Sequence, residues 1–164
     1  MDAELVLEPA ALIDRWRALS DDPEGPDYFE LNQYGEIVLA PKPTTRHQRR
    51  SSRVMKSLED QLGPEAASEI GVLTDQGVRV PDAVRMSPDQ WVKANDATPL
   101  PFVPAICVEV LSPGNTKPEI EMKKAAYIRG GAIEVIIVGL DASIEYFGPE
   151  GKLGESHFGL VINV

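Results

Sequence analysis

Two carboxylates interrupt segments that otherwise read as buried strands. Asp82 follows Pro81 in "VRVPDAVR", and Glu109 sits between valines in "AICVEVLS". Proline removes a ladder donor and aspartate is a poor strand residue, so the first segment breaks its own pattern twice. A buried carboxylate is costly unless it is paired or binds a cation. Two readings follow. In one, Asp82 closes a strand and Glu109 pairs with an arginine. In the other, the strands are neighbours and both carboxylates converge on a hard divalent cation, Mg²⁺ or Mn²⁺, with water completing its shell. Such a cation would polarise a phosphoryl oxygen and activate water. A lysine close by could orient that water or stabilise developing charge.

The surrounding elements must bring these residues together. Residues 8 to 19, "EPAALIDRWRAL", space Ala11, Leu12, Trp16 and Leu19 along one helical face. A turn-rich connector, "SDDPEGPD", follows; residues 1–27 are thus expected to form an N-terminal helix and connector. "YFEL" and "EIVLA" flank "NQYG" as a β-hairpin. "PKPTT" breaks the sheet, and a threonine can cap a helix over 45–62 that ends at Gly63-Pro64. Short strands are expected near 67–73, 77–80 and 82–86. Ser87 and Pro88 then start a helical turn. "AICVEVLS" and "IEVIIVGL" are continuous apolar runs, the pattern of strands buried on both faces. Between them "PGNTKPEIEMKKAAYIRGGA" reads as turn, helix 117–129 and glycine stop. "SIEYFG" and "HFGLVINV" read as final strands. The order predicts one α/β (α+β) domain over residues 1–164 with a mixed sheet.

The net charge of −10 argues against indiscriminate nucleic-acid binding. Its distribution is uneven. No acidic residue lies between Glu36 and Glu59, an interval that carries +6 and leaves −16 for the rest of the chain. Within it Arg46, Arg49, Arg50 and Arg53 share one face of the helix, opposite a face of Val54, Met55, Leu58 and Leu62. The arginine stripe is either a solvated polar face or a contact surface for phosphates. No apolar run is long enough to span a membrane. The first residues lack the pattern of a secretory signal, and Cys107 has no partner for a disulfide, so a cytoplasmic location is expected.

A proline-aspartate strand, a second acidic strand and a following lysine together resemble the PD-(D/E)XK nuclease superfamily. Within it, "YFELNQYGEIVLAPKPTTRHQ", "VPDAVRMSPDQW" and "PAICVEVLSPGNTKPEIEMKKAAYIRGGAIEVIIV" are similar to the Uma2 family of restriction-endonuclease-like proteins, also called DUF820. The resemblance covers roughly residues 28 to 147. It implies a restriction-endonuclease-like core: a mixed central sheet flanked by helices, with an N-terminal β-hairpin extension. It also implies a Mg²⁺-dependent (or Mn²⁺-dependent) endonuclease acting on DNA, with a homodimer as the expected assembly.

Asp82 matches the metal-binding aspartate and Glu109 the second acidic ligand. Leu111 stands where the superfamily's lysine usually follows, and Tyr127 sets a register that puts Lys123 in that role, with Lys124 beside it as the alternative. Glu36 and His47 match family positions with auxiliary roles, although an extra residue in "LNQYGE" departs from the usual hairpin. A non-catalytic module that keeps the nuclease fold to bind a partner is the competing expectation.

Overall fold

The computed structural model describes residues 4–40 and 42–164. Met1 to Ala3, at the start of the segment scanned for a signal, and Pro41, the first proline of the expected break, lie outside the described residues. Among the described residues four helices, α1 (Pro9–Asp21), α2 (Thr45–Leu62), α3 (Pro88–Ala94) and α4 (Lys117–Arg129), surround ten strands. These are β1 (Phe29–Leu31), β2 (Ile37–Leu39), β3 (Ala66–Ser68), β4 (Val72–Thr74), β5 (Gly77–Arg79), β6 (Ala83–Arg85), β7 (Ile106–Val110), β8 (Glu134–Val138), β9 (Ile144–Gly148) and β10 (Gly151–Leu153). Among the described residues, no helix is long and apolar enough to cross a membrane.

Local chemistry explains the helix boundaries. Thr44 caps α2 by accepting a hydrogen bond from the His47 amide. Ser87 and Thr116 start α3 and α4 with full capping boxes, each with a proline in the first turn. In α4 one stripe at four-residue spacing, Glu119, Lys123 and Tyr127, turns toward the sheet.

The strands form two sheets. The larger runs β10-β9-β8-β7-β6-β3 and is mixed: β7 and β8 are parallel, and the other neighbours antiparallel. Both central strands are buried along their full length, as their unbroken apolar runs require. Ile106, Val108 and Val110 of β7 pack with Val54 and Leu58 of α2, whereas Cys107 joins the cluster that holds Tyr127 of α4. By alternation Glu109 shares the Cys107 face.

The smaller sheet runs β2-β1-β5-β4. The N-terminal hairpin is therefore half of a second sheet that packs under α1 through Leu12, Trp16, Phe29, Leu31 and Val78.

The segment 66–85 is one long antiparallel excursion bent across both sheets. Its outer part pairs β3 with β6 in the large sheet, and its inner part pairs β4 with β5 in the small one. The chain thus changes sheet twice. The expected strand 67–73 is split at Glu69, whose φ of 54° leaves the extended region, and at Gly71, where a side chain would meet the Trp16 ring. The return crossing is Val80-Pro81-Asp82. Pro81 lies where no ladder donor is required, which answers why a proline interrupts this strand.

The expected final strand "HFGLVINV" does not form. Leu160 and Ile162 alternate inward and Val161 outward, as in a strand, but the Val161 amide and carbonyl bond the side chain of Gln61 on α2 instead of a ladder. A helix side chain has met the backbone groups that a neighbouring strand would otherwise satisfy. The sheet ends instead on β10, a short hairpin partner of β9 that the apolar pattern gave no sign of.

Candidate active site

The sheet register sets the two carboxylates. Ala83 of β6 faces Val108 of β7, the last pair of the ladder before Asp82 and Glu109. The Asp82 amide donates to the carbonyl of that same Val108 at 2.9 Å, so Asp82 sits as an extra residue just outside β6, where the regular pairing has ended. The Asp82 carboxylate reaches along β7 to accept the Val110 amide, which brings it to the face that carries Glu109. The loop after β7 and the stripe of α4 close over that face. Asp82, Glu109 and Lys123 line a single cavity of about 700 Å³ whose further walls come from α1, the connector and the first hairpin.

Asp82 is held at both oxygens and Glu109 at one. Asp82 Oδ2 accepts the Val110 amide at 2.7 Å, and Oδ1 lies 3.0 Å from His47 Nε2. Glu109 Oε1 accepts the Tyr127 hydroxyl at 2.8 Å and lies 3.8 Å from Lys123 Nζ. Lys123 is closest to Glu30, at 3.0 Å, and also lies 3.8 Å from Glu119. Glu30 in turn accepts the Val80 amide at 2.6 Å and pairs with Arg79 at 3.4 Å. Glu30, Arg79, Glu109 and Lys123 are all buried.

This surplus of carboxylates shapes the charges. Burial pushes Glu109 up to about 8; Lys123 opposes the shift, while the like charges of Asp82 and Glu30 add to it. Burial works against a charged Lys123, but Glu109 and Glu30 outweigh it and hold the ammonium above the ordinary lysine range. Burial likewise raises the Tyr127 hydroxyl, with Glu109 adding to the effect, so it stays a proton donor. The hydrogen bond to Asp82 raises His47 above its usual 6.5 against the pull of its own burial.

The His47–Asp82 pair yields a pH prediction. A histidine whose folded pKa is raised stabilises the fold fully below its unfolded value, about 6.5, and loses that contribution as pH rises through the folded value. Melting temperatures of His47→Gln should therefore fall further below the parent at pH 6 than at pH 9. A constant gap across that range would remove Asp82 as the cause.

Several residues stand elsewhere than the sequence suggested. Glu36 is exposed in the hairpin turn, held by Asn32, and does not line the cavity. Glu30 supplies the hairpin's carboxylate instead. Its signal was available: Glu30 lies between Phe29 and Leu31 in a buried strand, the same anomaly that marks Asp82 and Glu109. Lys124 pairs with Glu121 and lies over the Phe147 ring, which leaves Lys123 as the lysine facing the cavity. Adjacent helical residues differ by about 100°, so only one of them can face inward.

Arg46, Arg49, Arg50 and Arg53 do not line the cavity. The face of α2 that reaches it begins at His47, roughly 100° around the helix from Arg46. Arg50 is committed to the Gly139 and Leu140 carbonyls, at 3.1 and 3.0 Å.

The same architecture occurs in a solved structure described as a putative nuclease belonging to DUF820 from Anabaena variabilis ATCC 29413. The TM-score is 0.68 at 16% identity, over 84% of this chain and 79% of that one. This likeness establishes a nuclease-type fold. Residues 14–156 match the Uma2 family model, described as "putative restriction endonuclease", and the chain belongs to that family. No curated protein matches it.

Proposed function

We propose that this chain is a Mg²⁺- or Mn²⁺-dependent endonuclease that hydrolyses DNA phosphodiester bonds. The observation that carries the reading is the lining of one cavity by Asp82, Glu109 and Lys123. The residues fit a hard divalent cation. Their donors are carboxylate oxygens, and the burial of Glu109 beside Asp82 and Glu30 leaves the site short of positive charge. Among the described residues no group of three or more histidine, cysteine or acidic side chains is arranged to hold a metal. Asp82 and Glu109 would be the protein ligands, with water as the remainder. Bound there, the cation would supply Lewis-acid activation of phosphate and water.

The chain's own groups do the rest. Lys123 places a permanent positive charge where the transferred phosphoryl group gains negative charge. Glu30 holds that ammonium at 3.0 Å, and Tyr127 fixes one oxygen of Glu109. The His47 hydrogen bond fixes one oxygen of Asp82 and the Val110 amide fixes the other. Orientation is set before substrate arrives, so little reorganisation remains for the reaction step. Cutting both strands of a duplex needs two such sites, which a homodimer would supply.

A non-catalytic binding module is the second reading, favoured by the acidic side chains of the cavity wall, Asp22, Asp27, Glu69 and Glu119. Incubation with supercoiled plasmid and Mg²⁺ or Mn²⁺ separates the two. Slow nicking is expected, abolished by chelator and by Asp82→Ala. No cleavage under any condition, together with no calorimetric heat on titrating metal, would establish the non-catalytic reading.

A further inference from the structure

A second cavity of about 310 Å³ adjoins the first, and Glu69 and Asp82 line both. It runs as a groove between α2 and the end of β3. Gln48, Ser51 and Ser52 form one wall and Ser68 part of the other. The proposed reaction uses none of these four residues. Apart from the two shared carboxylates, every polar side chain here is an uncharged hydrogen-bonding group, unlike the acid-rich wall of the main cavity.

One buried polar atom of the groove lacks a partner: Ser51 Oγ. Ser51 lies one helical turn beyond His47, on the face of α2 that reaches Asp82, and is only 8% exposed. An unpartnered buried hydroxyl forgoes a hydrogen bond that water would have given it. A Ser51 hydroxyl can turn among three staggered rotamers to meet a ligand in the groove. The volume lies at the lower end of the ~300–1,000 Å³ of small-ligand sites, the scale of one nucleotide rather than of a duplex.

We propose that this groove is a subsite for a single nucleic-acid strand. It would hold one nucleotide flanking the cleaved phosphate through neutral contacts from Gln48, Ser51, Ser52 and Ser68. This rests on the nuclease reading of the main cavity. The strand runs past Asp82, from the cavity where the bond is cut into the groove where its neighbour is held. Hydroxyls and the Gln48 amide donate to phosphate and base-edge acceptors. The stripe Arg46, Arg49 and Arg53 then has no part in this contact, consistent with its place outside both cavities.

The test uses the full chain with a fluorescent single-stranded oligonucleotide and its duplex, read by polarisation with Ca²⁺ in place of Mg²⁺. Gln48→Ala with Ser52→Ala should weaken single-strand binding roughly tenfold, the loss of two neutral hydrogen bonds. The slope of affinity against salt should stay unchanged, because neutral contacts release no counterions. Ser52→Trp should fill the groove and weaken the single strand by more than the duplex. Gln48 and Ser52 are exposed, so melting temperatures should match the parent.

If the parent binds and cuts DNA but both variants bind the strand like the parent, the groove has no such role and the nuclease reading stands. A flattened salt slope, or equal losses for strand and duplex, also overturns the groove. A parent that binds neither DNA form and takes up no metal overturns both readings.

Discussion

Glu109→Gln is expected to abolish metal-dependent cleavage while leaving the protein at least as stable as the parent at pH 8. The amide keeps the shape and can still accept from Tyr127. What it removes is a carboxyl held at about 8 by burial, against an ordinary 4.5. A carboxyl with a raised folded pKa favours the unfolded chain once it ionises there. The parent should thus lose stability as pH rises from about 4.5 to 8, by up to roughly 5 kcal/mol at 1.36 kcal/mol per unit. The variant lacks this slope, so the difference in its favour should grow across that window. Mg²⁺ at 100 times its dissociation constant should stabilise the parent by about 2.7 kcal/mol and leave the variant nearly unmoved. A variant much less stable than the parent at every pH, with a parent indifferent to metal, would make Glu109 half of a structural ion pair and sink the assignment.

Glu30→Ala should give a large loss of stability, about 3–5 kcal/mol, because it leaves buried cations without their carboxylate. Arg79 is 4% exposed and Lys123 6%, so neither can recover its charge partner from water. The Val80 amide loses its acceptor as well. Lys123 would then have to lean on Glu109, now 3.8 Å away. Glu30→Gln should cost less, since it can still accept from Val80. Urea melts of the two variants measure both effects. A shift below about 1 kcal/mol for the alanine variant would mean that this network is solvated and does not hold Lys123. The effect reaches the site through the fold. Glu30 lies in the small sheet and Lys123 packs on the large one, so their contact joins the two sheets beside the cavity.

Much of this architecture is legible in local chemistry. Helices 45–62 and 117–129 follow from a capping threonine at the start and a glycine at the end. The central strands 106–110 and 134–138 follow from apolar runs too continuous for a half-exposed sheet. Asp82 and Glu109 stand out because each breaks such a run. Tyr127 and Lys123 lie one helical turn apart, so a tyrosine that faces the sheet brings that lysine with it.

What the sequence by itself determined is therefore where each element begins and ends and which side chains are out of place in it. Which of them meet was decided only by tertiary structure. The division of the strands into two sheets depends on pairings between residues far apart in the chain, which local periodicity does not encode. Those pairings turn Pro81 into a corner, carry Glu30 rather than Glu36 to Lys123, and split the strand after Ser68. The arginine stripe marks the same limit from the other side. Its periodicity fixes that four arginines share a helix face, but the direction of that face was set by the opposite side of α2, where Val54 and Leu58 are buried on the sheet and fix the helix's rotation.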